Sequence, residues 1–156
     1  MYKILALFTV ISGAYAEVDF DNYIQSNKEL IQAAQQGVAY DELSTAAKAL
    51  VAASKPILNA YINKHKQCKD YLSKVLEDSG LMLSLDAETI ERDYHDDGAL
   101  PDAEFTCYHA KDLLVHPATV VVLTASHPDN KETRNQIIHE LEEVAAHAIV
   151  AEKLLK

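Results

Sequence analysis

Apolar residues recur along this chain three and four positions apart, and strand-like alternation with hairpin turn dipeptides is missing. Between Asp19 and Gln36, the residues Phe20, Tyr23, Ile24, Ile31 and Ala34 fall near one helical face, and Gly37 supplies a C-terminal stop. The spacing predicts a first helix over 19–36. A second periodic segment opens at Asp41 and carries Leu43, Ala47, Leu50, Val51, Ile57, Leu58, Tyr61, Ile62, Tyr71, Leu72, Val75 and Leu76 to a stop at Gly80. Pro56 lies inside it, lacking a backbone donor and crowding the preceding turn. This predicts either one long kinked helix or two helices meeting near Ser54.

Ser84 is the expected cap of a shorter helix that runs to His95, and Gly98 with Pro101 interrupts before a helix over 102–115. Pro117 suits the first turn of a further piece, "ATVVVLTAS" (118–126), whose β-branched run reads either as buried helix or as a short strand. Asp129 followed by Glu132 has capping-box spacing and should launch the last helix. On a helical wheel Ile137, Leu141, Val144, Ala148, Ala151 and Leu155 form its core stripe, with Glu140, Glu143, His147 and, further round, His139 on one flank. The pattern predicts an all-α fold, an elaborated antiparallel bundle of five or six helical segments in a single domain over 17–156.

The opening stretch changes the picture of where the chain acts. "MYKILALFTVISGAYA" (1–16) has an early Lys3, an apolar run and a terminal Ala14-Tyr15-Ala16, the order of a secretory signal peptide. The expected location is the periplasm or the extracellular space. The apolar run is too short for a membrane span, and no later segment offers one. Acidic residues outnumber basic ones 24 to 14, giving a net charge of −10. That charge argues against nucleic acid and anionic lipid as partners, while it suits cations or an exported protein partner.

The two cysteines, Cys68 and Cys107, are expected to pair as a disulfide in an oxidising compartment. A rival use, with His65 and His109, is a tetrahedral set for zinc or copper(I). Only His65 and Cys68 share a helix face, which leaves that set half supported.

Histidines and carboxylates offer stronger candidates. His109, Asp112 and His116 stand at i, i+3 and i+7, and His139, Glu143 and His147 repeat an acid between two histidines on the last helix. Two such stripes could face each other across a bundle and enclose a transition metal (Zn, Cu or Fe) or offer an axial ligand to non-covalent haem. Covalent c-type haem is excluded, because no C-x-x-C-H occurs. His95, Asp96 and Asp97 cluster at a helix end, where His95 suits the helix dipole. Nucleophile elbows, phosphate loops, H-E-x-x-H and glycine-rich dinucleotide turns are all missing, so no reaction is indicated. Two functions lead, ahead of a hydrolytic or redox enzyme: a small exported metal or metal-cofactor protein for storage, delivery or sensing, and a non-catalytic acidic interaction or structural protein.

Overall fold

Six α-helices follow one another in a computed structural model of the protein, which describes residues 18–156. They are α1 (Phe20–Gln35), α2 (Tyr40–Lys64), α3 (Lys69–Met82), α4 (Ala87–Ile90), α5 (Phe105–Ser126) and α6 (Lys131–Leu155). A 3-10 turn, Lys66–Cys68, precedes α3, and a π-helical turn, Glu91–His95, extends α4. No strand occurs among the described residues. The expected leader, 1–16, lies outside them.

The four long helices close a ring in which α1 packs on α2, α2 on α5, α5 on α6 and α6 on α1. Side-chain ties fix their directions. Asn27 of α1 donates to the Leu141 carbonyl of α6, and Arg134 near the start of α6 donates to Val38 beyond the end of α1, so these two run antiparallel. Tyr61, late in α2, donates to the Thr106 carbonyl at the start of α5, so that pair is antiparallel too. The result is an up-down-up-down bundle with α3, α4 and the π turn folded against α5 as an excursion between α2 and α5.

Gly37 ends α1 as anticipated. Its φ of +77° places it in the left-handed region, and the bonds from Val38 N–H to the Ala33 carbonyl and from Gly37 N–H to the Ala34 carbonyl complete a Schellman cap. At Pro56 the second segment takes the first of its two expected forms, a helix running through the proline, but it does not reach Gly80 unbroken. The helix continues through Pro56, which sits on the exposed side where water can reach the Ala52 carbonyl left without a donor. The chain breaks instead at His65, whose ψ of 81° leaves the helical region. Burial of Val51, Ser54, Ile57 and Leu58 around the proline outweighs its local penalty. Gly80 is no stop either, since α3 runs through it to Met82.

Two caps also differ from the sequence reading. Asp86, not Ser84, accepts from Thr89 N–H to start α4, and Asn130, not Asp129, accepts from Thr133 N–H to start α6. Asp129 pairs instead with Arg134, both carboxylate oxygens within 2.7 Å of guanidinium nitrogens.

The largest correction concerns Pro117. The pieces 102–115 and 118–126 are one helix, α5, and "ATVVVLTAS" is helical within it. Every residue from Ala110 to Leu123 is buried, as expected for a helix with neighbours on all sides. Pro117 lacks the N–H that would bond the Leu113 carbonyl. The Tyr23 hydroxyl of α1 donates to that carbonyl at 2.5 Å, so the buried acceptor is satisfied from another helix.

Cys68 and Cys107 form the disulfide, with their Cα atoms 5.4 Å apart, and tie the start of α3 to the first turns of α5. The bridged sulfurs leave no thiolate for a metal.

Tyr23→Phe should lower stability in denaturant titration by about 1–3 kcal/mol, because it strands a buried carbonyl. In the Pro117→Ala background the restored backbone N–H takes over that carbonyl, and the same Tyr23→Phe change should cost clearly less. An equal cost in both backgrounds would show that Tyr23 does not compensate the proline. Replacing both cysteines by alanine should cost about 2–4 kcal/mol in the same measurement.

Candidate metal centre

Because α5 is enclosed on all sides, any charged residue within its middle must be neutralised by side chains from other elements. Lys111 and Asp112 are both fully buried there. The Lys111 ammonium donates to the His95 carbonyl at 2.7 Å and to Asp97 Oδ1 at 2.9 Å, and it lies over the Tyr108 ring. Asp97 also accepts from the Tyr71 hydroxyl at 2.6 Å.

These bonds hold an unusual loop. The π turn ends at His95, and Asp97 adopts φ +63°, a left-handed conformation uncommon for a side-chain-bearing residue. Gly98 follows with its Cα so near the Arg92 carbonyl that a Cβ would stand 2.5 Å from that oxygen. The loop thereby carries the His95 ring against α5, 5.1 Å from the His116 ring between centroids. π turns of this kind recur at functional sites.

Around this point His, Asp and Glu side chains converge in two overlapping sets. One ligand atom each from His95, Asp112 and His116 lies within 4.8 Å of the others, and the same holds for His116, Glu143 and His147. Of the residues anticipated from sequence, Asp112, His116, Glu143 and His147 are therefore brought together. His109 stands one step further out, its Nδ1 hydrogen-bonded to His147 Nδ1 at 2.9 Å. His139 is exposed and joins neither set, because its position further round α6 points it to solvent. A third set, Glu91, His95 and Asp96, lies at the surface on the π turn and its end.

Hydrogen bonds fix which atoms are free. Glu140 Oε2 accepts from His116 Nδ1 at 2.7 Å, so neutral His116 carries its lone pair on Nε2. That nitrogen is buried and has no hydrogen-bond partner. When His147 donates its Nδ1 proton to His109, its Nε2 likewise carries the lone pair, 3.6 Å from Asp112 Oδ2 and 3.8 Å from Glu143 Oε2. Neither carboxylate oxygen of Asp112 is in hydrogen-bonding geometry with a neighbour, although the Tyr108 hydroxyl is near enough that, after burial, this carboxylate raises its pKa. Lys111 Nζ, 3.4 Å from Asp112 Oδ1, is close enough for charge attraction without bonding geometry.

The electrostatics follow from burial. Burial raises the Asp112 pKa, against the opposing charges of Lys111, His116 and His95. Burial lowers His147 to about 4, reinforced by the positive charges of His116, His109 and His95, so this imidazole is neutral at physiological pH. Burial also lowers His109. For His116 burial works the same way, but the hydrogen bond to Glu140 and the charges of Asp112, Glu140 and Glu143 outweigh it and raise the pKa. Tyr108 closes one side, its ring 5.1 Å from that of His147, and borders a cavity of about 380 Å³ lined by Tyr71, Asp97, Glu104 and Phe105.

Glu140 and His95 carried sequence signals, one on the flank of α6 and one at a helix end, without being placed among the ligands. Lys111 carried a subtler signal: it sits beside an acid at the head of a stretch too apolar to be exposed. Comparison of the chain with protein-family models, characterised proteins and solved structures finds no match.

Lys111→Met removes the donor to the His95 carbonyl and Asp97 and leaves Asp112 without its nearest cation. Loss of one partner from such a buried ionic network should cost about 3–5 kcal/mol, measured by urea unfolding. A cost below 1 kcal/mol would mean that the ammonium does not hold the loop.

Proposed function

We propose that the protein binds a transition-metal ion through His95, Asp112, His116, Glu143 and His147, and that it stores, delivers or senses that ion after export. The observation that carries this reading is the buried Asp112 carboxylate with both oxygens unpartnered, facing the unpartnered Nε2 of His116. Stranding such groups costs a fold several kcal/mol with no structural return, whereas a cation satisfies them together. Mixed imidazole and carboxylate donors suit Zn(II), Fe(II) and Cu(II). Ligand atoms within 4.8 Å of one another fit an ion better than a planar haem inserted between them.

The outer groups support the same reading. Glu140 on His116 and His109 on His147 each engage Nδ1 and leave Nε2 for the ion, the usual way a metal-binding imidazole is oriented. Glu143, with its side chain 44% exposed, provides a way in from solvent.

The rival reading, an acidic interaction protein, expects dispersed histidines and one broad apolar patch. Here His95, His109, His116 and His147 gather in one place, and the large exposed apolar residues Leu81, Phe105 and Ile149 belong to three different helices. No helix among the described residues is long and apolar enough to cross a membrane.

Zn(II) at a hundredfold excess over its Kd should stabilise the protein by about 2.7 kcal/mol in a thermal-shift or denaturant assay. His116→Ala and His147→Ala should each abolish that gain. Asp112→Asn should remove the metal response yet leave the metal-free protein at least as stable as the parent, since it discharges a buried carboxylate that makes no hydrogen bond while Lys111 keeps Asp97 as its partner. A parent protein whose native mass and stability ignore excess Zn(II), Cu(II) and Fe(II) would sink the reading.

A further inference from the structure

We infer, resting on the metal-binding reading above, that Tyr108 is a further ligand of the centre and that its phenolate oxygen suits the site to a ferric ion. Among the described residues Tyr23, Tyr40, Tyr61, Tyr71 and Tyr94 each donate their hydroxyl to a carbonyl or carboxylate, at 2.5 to 3.3 Å. Tyr108 is the one tyrosine there whose hydroxyl makes no such bond to a described residue. It is also the one that borders the centre.

Tyr108 precedes Asp112 by four residues on α5, so the two side chains share a helix face. The hydroxyl lies beside the Asp112 carboxylate without reaching bonding geometry. Its ring stands 5.1 Å from that of His147, 5.6 Å from His109 and 6.4 Å from His95, and the Lys111 ammonium covers one face at 4.6 Å from the centroid. Phe105 stacks on it at 6.1 Å. The side chain is therefore held on several sides, while its oxygen is left unbonded beside a carboxylate that is unbonded too. Two such oxygen donors are what a shared cation would draw together.

The donor set then decides which cation gains most. His95, His116 and His147 offer imidazole nitrogens, and Asp112 and Glu143 offer carboxylates. A phenolate adds a sixth donor and a third negative charge, which match the octahedral preference and the charge of Fe(III). Tetrahedral Zn(II) is satisfied by four donors and gains little from the extra one. Hard oxygen anions favour a small, highly charged ion, and tyrosinate is a known protein ligand of iron. On binding, the phenol O–H breaks, the oxygen lone pair goes to iron, and the proton leaves to solvent by way of the adjoining cavity of about 380 Å³. No electron changes hands.

Add ferric ion as its citrate complex to the disulfide-intact chain, and follow it by visible absorption, resonance Raman spectroscopy and elemental analysis. Bound iron with a phenolate-to-iron charge-transfer band and enhanced tyrosinate ring modes is expected. Tyr108→Phe keeps the ring and its packing, with circular dichroism as the check on folding. It should abolish the band and weaken ferric binding by about tenfold or more, while Zn(II) stabilises the variant as it does the parent. Iron bound without the band, a band that survives Tyr108→Phe, or Zn(II) bound with no ferric ion taken up would each overturn Tyr108 as a ferric ligand while leaving metal binding intact. A parent chain that takes neither ion would overturn both readings.

Discussion

The enclosure of α5 is the constraint on which the rest depends. A helix buried from Ala110 to Leu123 cannot send a polar group to water, so each one dictates something about a neighbour. The Leu113 carbonyl freed by Pro117 requires Tyr23 of α1. The Lys111 ammonium requires Asp97 and the His95 carbonyl, and so decides where the loop after α4 must lie. His116 requires Glu140 of α6. Three elements are positioned by three polar demands of one helix. The apolar residues around them supply most of the stabilising area, but they are less particular about which neighbour covers them.

Asp112 differs from those three. Each of the others ends in a hydrogen bond of 2.5–2.7 Å, whereas Asp112 meets its neighbours at 3.4 and 3.6 Å. A carboxylate kept for stability alone would be drawn into bonding contact with Lys111, which is the next residue and already desolvated. The ammonium instead turns to the loop, and Asp112 faces the histidines. That division of labour makes Lys111 the holder of the loop and leaves the Asp112 carboxylate without a hydrogen bond.

Much of the bundle was legible because hydrophobic periodicity survives wherever one face of a helix is solvated. The stripe of α6 and the Gly37 cap came directly from it. Legibility failed at Pro117. Local rules place a helix boundary there, and at Pro56 they leave a boundary and a continuous helix both open, yet tertiary burial overrides a cost of about 3 kcal/mol when enough apolar surface is gained on both sides. The β-branched run 118–126 was ambiguous for a related reason: a segment buried all round has no solvent face, so periodicity carries no signal there. The break at His65 has no strong sequence mark at all.

The candidate site divides along the same line. Spacing within one helix made the stripe of His109, Asp112 and His116 visible, and the stripe of Glu143 and His147 on α6, since i, i+3, i+4 and i+7 geometry is local. Which atoms then face the centre depends on the rotation of each helix about its axis, which core packing sets. A modest rotation of α6 places Glu140 rather than His139 against α5, and a loop with one left-handed residue delivers His95 from a distant part of the chain. Rotation and loop delivery follow from the whole set of contacts, not from any short stretch of residues. Local spacing could therefore name the kinds of ligand and the two helices, but not that His116 would join both sets or that Asp112 would be the one charge on α5 left without a hydrogen bond.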